Sequence, residues 1–451
     1  MLVEEEWYHE SWWHKLVHVC RRWRYLVLGS ASYLGLGLLC TYDTPVEDML
    51  AHAPPLPLII DHIHPQADDD VSAEDEEGVL LALQHRDRVR RIRLRMPTSN
   101  LQKLIVAMDG EFPMLEYLHI RDATTRSEDT NLILPKTLRA PRLQLLMLQS
   151  IIYPMGSRLL TTTAGLVTLM LPLSTGLPPG DVLQWLSLLP RLEIFAFSIF
   201  SPTDSVAEGR LMDLQTMTQV TLPKLRRFVF EGTLVYLEAL LPWITAPLLN
   251  GFQICFAERP TISIPCLQQF ITTKEQLKYN CARLKFDTDL VSVGMYPPGW
   301  DDSEAEPFLV EVNCARFGPQ VESIARVLAA LGTAFSKVEN LTLEYRCRGL
   351  SILETSPEEL PRQRWRQIFR PFSNVKTLRF PNELVWVLSL SLHPEAGQSP
   401  MDLLPELKEL SYSPDRIFKS LPGSLASDQL AAFTYARQGA GHPVTLVCRE
   451  S

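Results

Sequence analysis

VRRIRL at residues 89–94, LEYLHI at 115–120 and LQLLML at 143–148 share one pattern, apolar-x-x-apolar-x-apolar, and the chain goes on repeating it. Further copies read LVTLML (166–171), LEIFAF (192–197), LRRFVF (225–230), LNGFQI (249–254), CARLKF (281–286), VENLTL (338–343), VKTLRF (375–380) and LKELSY (407–412). Their first positions follow one another at 23 to 37 residues, except for one gap of 57. FLVEVNC (308–314) divides that gap as the strand of a degenerate unit. A period of this length marks stacked supersecondary units.

Each copy reads as a short strand. Pro113, Pro141, Pro190, Pro223, Pro247 and Pro405 stand two residues before the first apolar position, where they end a helix and restart the chain as a strand. Between the strands lie segments of helical periodicity, such as GDVLQWLSLL (180–189), LVYLEALLPW (234–243) and VESIARVLAALGTAF (321–335). One strand–helix unit cannot cover both sides of its strand, whereas parallel stacking closes a continuous core. The expected fold is therefore an α/β leucine-rich-repeat-like solenoid over residues 46–451, a curved parallel sheet with helices on the convex face. Variable spacing and the lack of an Asn-ladder position predict an irregular one. An ordinary globular α/β domain also alternates strands with helices, but it does not require eleven similar strand signatures.

PPLPLIIDHI (54–63) predicts one more strand upstream. The acidic run PQADDDVSAEDEEG (65–78) predicts a surface loop, and PPGWDD with SEAEPFL predicts an exposed insertion near 295–306.

Residues that alternate with the buried strand positions should line the concave face. Arg91, Arg93 and Arg95, then Tyr117, His119 and Arg121, then Leu145, Met147 and Gln149, then Thr168 and Met170 fall in that register. A basic edge grading into an apolar, Met-containing middle suits capture of an acidic protein segment, or these side chains simply cover the sheet. The acidic run at 65–78 could lie on the same basic edge.

The formal net charge of −9 argues against a nucleic-acid partner, which needs an excess of clustered Lys and Arg. The eight cysteines include no C-x-x-C pair, so buried thiols in a reducing, intracellular compartment, cytoplasmic or nuclear, are expected. The acidic, aromatic start MLVEEEWYHESWW is unlike a secretory signal.

Residues 25–42 carry no charge and follow CRRWR, so a membrane anchor is one reading of them. Gly29, Ser30, Ser32, Gly35 and Gly37 argue instead for a link between short helices. Before it, Leu16, Val17, Cys20, Trp23, Leu26 and Val27 recur at helical spacing. His14, Lys15, His18, Arg21, Arg22 and Arg24 take the other face, which predicts an amphipathic helix about four turns long.

LVHVCRRWRYLVLGSASYL (16–34) resembles the second half of an F-box. With LCTYDTPVEDMLAHAPPLPLII (39–60) and LLALQHRDRVRRIRL (80–94), nearly the whole chain is similar to fungal F-box proteins with irregular leucine-rich repeats. The resemblance implies a partial F-box-like helical segment over residues 1–45 and a role as substrate-recognition subunit of a cullin-type (SCF) ubiquitin ligase, reached through a Skp-type adaptor. It places Leu16, Val17, Cys20, Trp23 and Leu26 at adaptor-docking or helix-packing positions, with Trp23 the first choice as a core anchor. The family's leading Leu-Pro helix has no counterpart before Trp12, which leaves a leucine-rich-repeat interaction scaffold without ligase docking as the alternative.

No catalytic motif is present: there is no H-E-x-x-H, no G-x-S-x-G and no Walker loop, and GLGLLC lacks a dinucleotide site's third glycine. No cofactor is expected, and the chain reads as a non-enzyme. Asp61, His62 and His64 in DHIHP are a metal candidate short of a third fixed ligand, better explained as strand-end polar residues.

Overall fold

In the computed structural model, Leu115, Leu143, Leu166, Leu192, Leu225, Leu249, Val338, Val375 and Leu407 lie just before their strands, and all are buried. The structure describes residues 12–30, 36–63, 71–124, 132–173, 177–199, 217–257, 264–274, 279–300, 307–346, 362–393, 399–413 and 423–448. A tight turn tucks each of these apolar residues inward, as when Leu143 N–H donates to Ala140 O at 3.0 Å and Leu407 N–H to Leu404 O at 3.0 Å. The strand proper starts two residues later, and its alternate positions are buried. In these copies the first apolar position is thus a turn anchor and the second and third are strand core, whereas Val89 and Cys281 begin their strands directly.

The chain divides into two compact units, Met1–Arg226 with Trp243–Leu248, and Arg227–Pro242 with Leu249–Ser451. The first begins with helices α1 (Trp12–Val17) and α2 (Arg21–Gly29). The single four-turn helix expected here is broken. Cys20 takes an extended conformation (φ −162°, ψ 170°) and starts α2 afresh, while Arg24 Nε donates to Val17 O at 3.0 Å across the break.

Seven parallel strands follow in chain order: β1 (Leu38–Cys40), β2 (Leu58–Ile63), β3 (Val89–Met96), β4 (Tyr117–Asp122), β5 (Leu145–Gln149), β6 (Thr168–Leu173) and β7 (Ile194–Ile199). Helices α3 (Val46–His52), α4 (Ala73–Gln84), α5 (Thr98–Ala107), α6 (Leu159–Thr162) and α7 (Pro179–Ser187) lie in the connections. Two short parallel pairs, Leu132–Ile133 with Ile151–Ile152 and Val220–Thr221 with Ile244–Thr245, fall in other connections.

Three further expectations are corrected in this unit. β1 lies within residues 25–42 and pairs with β2, Leu38 opposite Leu58, so those residues form neither a membrane span nor a link between helices alone. Among the described residues no helix is long and apolar enough to cross a membrane. The sheet accordingly starts before residue 46, inside the segment expected to be helical. The acidic run at 65–78 is only partly a loop candidate: residues 65–70 lie outside the described ones, and Ala73 onward is α4. Ser72 caps that helix by accepting from Asp75 N–H at 3.0 Å, and Glu74, Asp75 and Glu76 sit in its first turn, where carboxylates oppose the positive end of the helix dipole.

The second unit holds β8 (Arg227–Gly232), β9 (Gly251–Phe256), β10 (Cys281–Phe286), β11 (Leu290–Tyr296), β12 (Phe308–Asn313), β13 (Asn340–Tyr345), β14 (Thr377–Pro381), β15 (Glu409–Ser413) and β16 (Thr445–Cys448). Its helices are α8 (Leu234–Leu240), α9 (Pro265–Thr272), α10 (Phe317–Ala330), α11 (Arg362–Phe369), α12 (Val385–Leu392) and α13 (Gly423–Gly439). The 57-residue gap contains the expected strand at 308–313 and one more, β11, whose end the expected insertion overlapped. β11 runs antiparallel to both its neighbours, so the spatial order is β9-β12-β11-β10-β13. Val291, Val293 and Met295 point one way from it and are fully buried. An aromatic row crosses this unit's core: Phe252 is 5.5 Å from Phe228 and 6.3 Å from Phe308, and Phe335 is 5.3 Å from Phe372. Residues 301–306 of the expected insertion lie outside the described residues.

Candidate functional site

The parallel register of the first unit gathers the arginines on one face. Arg91 stands between Ile59 and Tyr117, Arg93 between Asp61 and His119, and Arg95 between Ile63 and Arg121. The same rows continue into Leu145, Met147 and Gln149 on β5, then Thr168 and Met170 on β6. These residues therefore fall in the same cross-strand rows. Ile92, Leu94 and Met96, the intervening residues, are fully buried on the other side.

The charges on this face are incompletely matched. Arg93 Nε lies 3.4 Å from Asp61 Oδ1 but makes no hydrogen bond, so the pair is a loose one. Burial pushes the Asp61 carboxyl up, with Arg93 opposing it. Asp122, next along the chain, is committed elsewhere: it accepts from the Thr98 hydroxyl at 2.6 Å and from Thr124 N–H at 2.9 Å. Arg95 and Arg121 face each other directly and have no ion-pair partner among the described residues, and Arg95 Nε is buried without an acceptor.

His119 is 8% exposed, with its Nε2 also lacking a partner. Burial, and after it the positive charges of Arg93 and Arg121, push its imidazole down to about 4. It is neutral at pH 7 and adds no charge to the face. Guanidinium groups in this arrangement suit carboxylates, which they bind through charge-assisted hydrogen bonds, and the Leu–Met middle of the face offers an apolar continuation.

The N-terminal candidates are distributed differently. Val17 is buried and Leu16 half-buried, but Cys20 is exposed. Trp23 is 47% exposed and Leu26 58%, so Trp23 is not the core anchor expected of it. Once the helix breaks at Cys20, the spacing that aligned Trp23 with Val17 no longer holds, and Val27 becomes the buried residue of α2. Val19 and Tyr25 are exposed as well, leaving an apolar surface interleaved with Arg21, Arg22 and Arg24.

Asp61 and His62, two of the three metal candidates, point to opposite faces of β2, and His64 lies outside the described residues. His62 is 1% exposed, its ring centroid 4.8 Å from that of Tyr42, and neither of its nitrogens has a hydrogen-bond partner. Burial pushes it down to about 4, with Asp75 opposing. Among the described residues, no group of three or more His, Cys, Asp or Glu side chains is placed to hold a metal ion. Burial pushes the thiols of Cys40 and Cys255 up to about 12, which keeps them protonated and poorly nucleophilic at pH 7.

Sequence reasoning missed a groove of about 360 Å³ in the second unit, along the C-terminal ends of β13, β14 and β15. The signal for it was faint: Thr342, Arg379 and Ser411 occupy the same alternating register as the arginines of β3, but in three separate repeats.

No family model matches the chain, and no curated protein does. Among solved structures, the leucine-rich repeat-containing protein LegL7 from Legionella pneumophila is similar over 88% of this chain and 97% of that one, at 10% identity and a TM-score of 0.24.

Proposed function

We propose that this chain is a non-enzymatic recognition protein that captures an acidic segment of a partner on the open face of β3 and β4, inside the cell. The observation that carries the reading is the Arg95–Arg121 pair. Like charges directly opposite on neighbouring strands destabilise a sheet, so two guanidinium groups without a counter-charge favour an anionic occupant. Arg91, Arg93 and Tyr117 extend that surface. The test is capture of a short Asp-rich peptide by the full chain, compared with Arg95→Gln/Arg121→Gln. Loss of capture without loss of thermal stability supports the reading, and unchanged capture sinks it.

The finer part of the proposal is that the captured protein is presented to a cullin-type (SCF) ubiquitin ligase, with α1 and α2 docking a Skp-type adaptor. Its support is the F-box resemblance and the apolar surface of Val19, Trp23, Tyr25 and Leu26. Ligase partners would perform the bond chemistry, and this chain would contribute proximity and orientation. Co-purification of the full chain with a Skp-type adaptor, lost in Trp23→Ala, tests it. The second reading, an interaction scaffold without ligase docking, is favoured by the break at Cys20, which leaves α2 with 9 residues. Failure of adaptor binding by the full chain would select it.

A further inference from the structure

The rows that begin at the arginines of β3 do not end with them. The row from Arg93 runs through His119 to Met147, Met170 and Ala196, crossing β4 to β7. The row from Arg91 reaches Leu145 on β5 and Ile194 on β7. Leu145, Met147, Met170, Ile194 and Ala196 are all half-buried, so β5, β6 and β7 carry an aliphatic strip on the face where β3 and β4 carry charge.

The core does not account for this strip, because Leu146, Leu169 and Phe195 fill the other side of the same strands. Nor does the repeat require it: β10 and β13 place Arg283, Lys285, Thr342 and Glu344 at the corresponding alternating positions. Apolar surface left partly in water is what an occupant gains by covering, and Met is enriched where proteins bind one another. The strip is continuous with the unmatched charges. Gln149 stands beside Arg121, and its Nε2 lies 3.8 Å from Met147 Sδ.

Each strand carries mainly one kind of chemistry, so a segment lying along a strand would meet either charge or the aliphatic strip. Only a segment that crosses the strands meets both. Neighbouring strands are about 4.8 Å apart, which makes the path from β3 to β7 about 19 Å, the length of about six extended residues.

We propose that the occupant of this face is a two-part segment lying across the strands, its acidic residues over Arg95 and Arg121 and its aliphatic side chains, within the next four residues, over Met147, Met170 and Ile194. This rests on the recognition of an acidic segment proposed above and adds a second requirement to it.

The test is fluorescence anisotropy of the full chain at low ionic strength with three labelled, C-terminally amidated peptides: Asp-Asp-Ser-Leu-Ser-Leu, Asp-Asp-Ser-Ser-Ser-Ser and Asn-Asn-Ser-Leu-Ser-Leu. The first should bind at least about tenfold more tightly than either of the others, since it alone satisfies both parts of the face. Met147→Ser/Met170→Ser should cancel the advantage of the first peptide over the second and leave binding of the second unchanged, which a folding defect would not do. Should that variant fail to fold, the three-peptide comparison in the wild-type chain decides. Equal binding of the first and second peptides would overturn this inference and leave the acidic recognition standing. Equal binding of the first and third, or no binding of any, would overturn both.

Discussion

Replacing Arg121 by Glu should make the protein more stable while weakening its capture of acidic segments. In the structure Arg121 is exposed and stands opposite Arg95, with Gln149 on its other side. The substitution removes a cross-strand repulsion and adds an attraction, each about 0.2–1 kcal/mol for directly opposed pairs. Because Arg121 is open to solvent, screening holds both near the lower end, for a gain of about 0.5–1 kcal/mol in total. In a unit of this size that raises the unfolding temperature by roughly 1–3 °C. Arg121→Gln, which only removes the repulsion, should give about half of it. Thermal unfolding of the three proteins at low ionic strength and in about 1 M salt measures this, the differences shrinking in salt as the Debye length falls. If Arg121→Glu lowers stability at low salt, Arg121 has a structural acid partner and the recognition argument built on its lack of one is refuted.

Other consequences are open to direct measurement. His62 and His119 are both held near 4, below the ordinary 6.5, so the unfolded chain takes up protons that the folded one refuses. Stability should therefore be full above pH 6.5 and fall as pH drops from 6.5 towards 4, by up to about 3 kcal/mol per histidine. Urea unfolding of the wild type against His62→Leu reads this, the variant showing a shallower fall; identical slopes would contradict it. Ser72→Ala removes the cap of α4 and should cost about 1 kcal/mol, measured by denaturant midpoint. Leu143→Ala, which empties a turn anchor, should cost about 3 kcal/mol, and a loss below 1 kcal/mol would mean that the anchor position carries little of the core. Trp23→Ala should cost less than about 1 kcal/mol, because about half of the side chain is in solvent, so a complete loss of adaptor binding reports contact and not folding.

What could be read from the residues followed from periodicity. Leucines such as Leu115 and Leu143 recur at a fixed offset from the strand, and a two-residue alternation leaves only one face for Arg91, Arg93 and Arg95, so fold class and the arginine face were both legible. The failures came where local pattern and tertiary context diverge. Leu16 to Val27 carries a continuous helical stripe, yet Cys20 adopts an extended conformation and restarts the helix, which turns Trp23 outward. Glu74, Asp75 and Glu76 look like loop acids by composition, but acids in a first turn are also what a capped helix favours. Val291, Val293 and Met295 do alternate as a strand should, but the antiparallel direction of β11 depends on pairing with β10 and β12, which no local pattern encodes. The groove at Arg379 was invisible for the same reason: its residues meet only through register across three repeats.

The central claim is that the open face of β3 and β4 recognises an acidic segment through Arg95 and Arg121. The most direct measurement is calorimetric titration of the full chain with a short peptide alternating Asp and Leu, for the wild type and for Arg95→Glu/Arg121→Glu. The account predicts wild-type binding that weakens as salt rises, and none by the doubly reversed variant, although its fold is intact by circular dichroism. Equal binding by both proteins, or wild-type binding insensitive to salt, would contradict it.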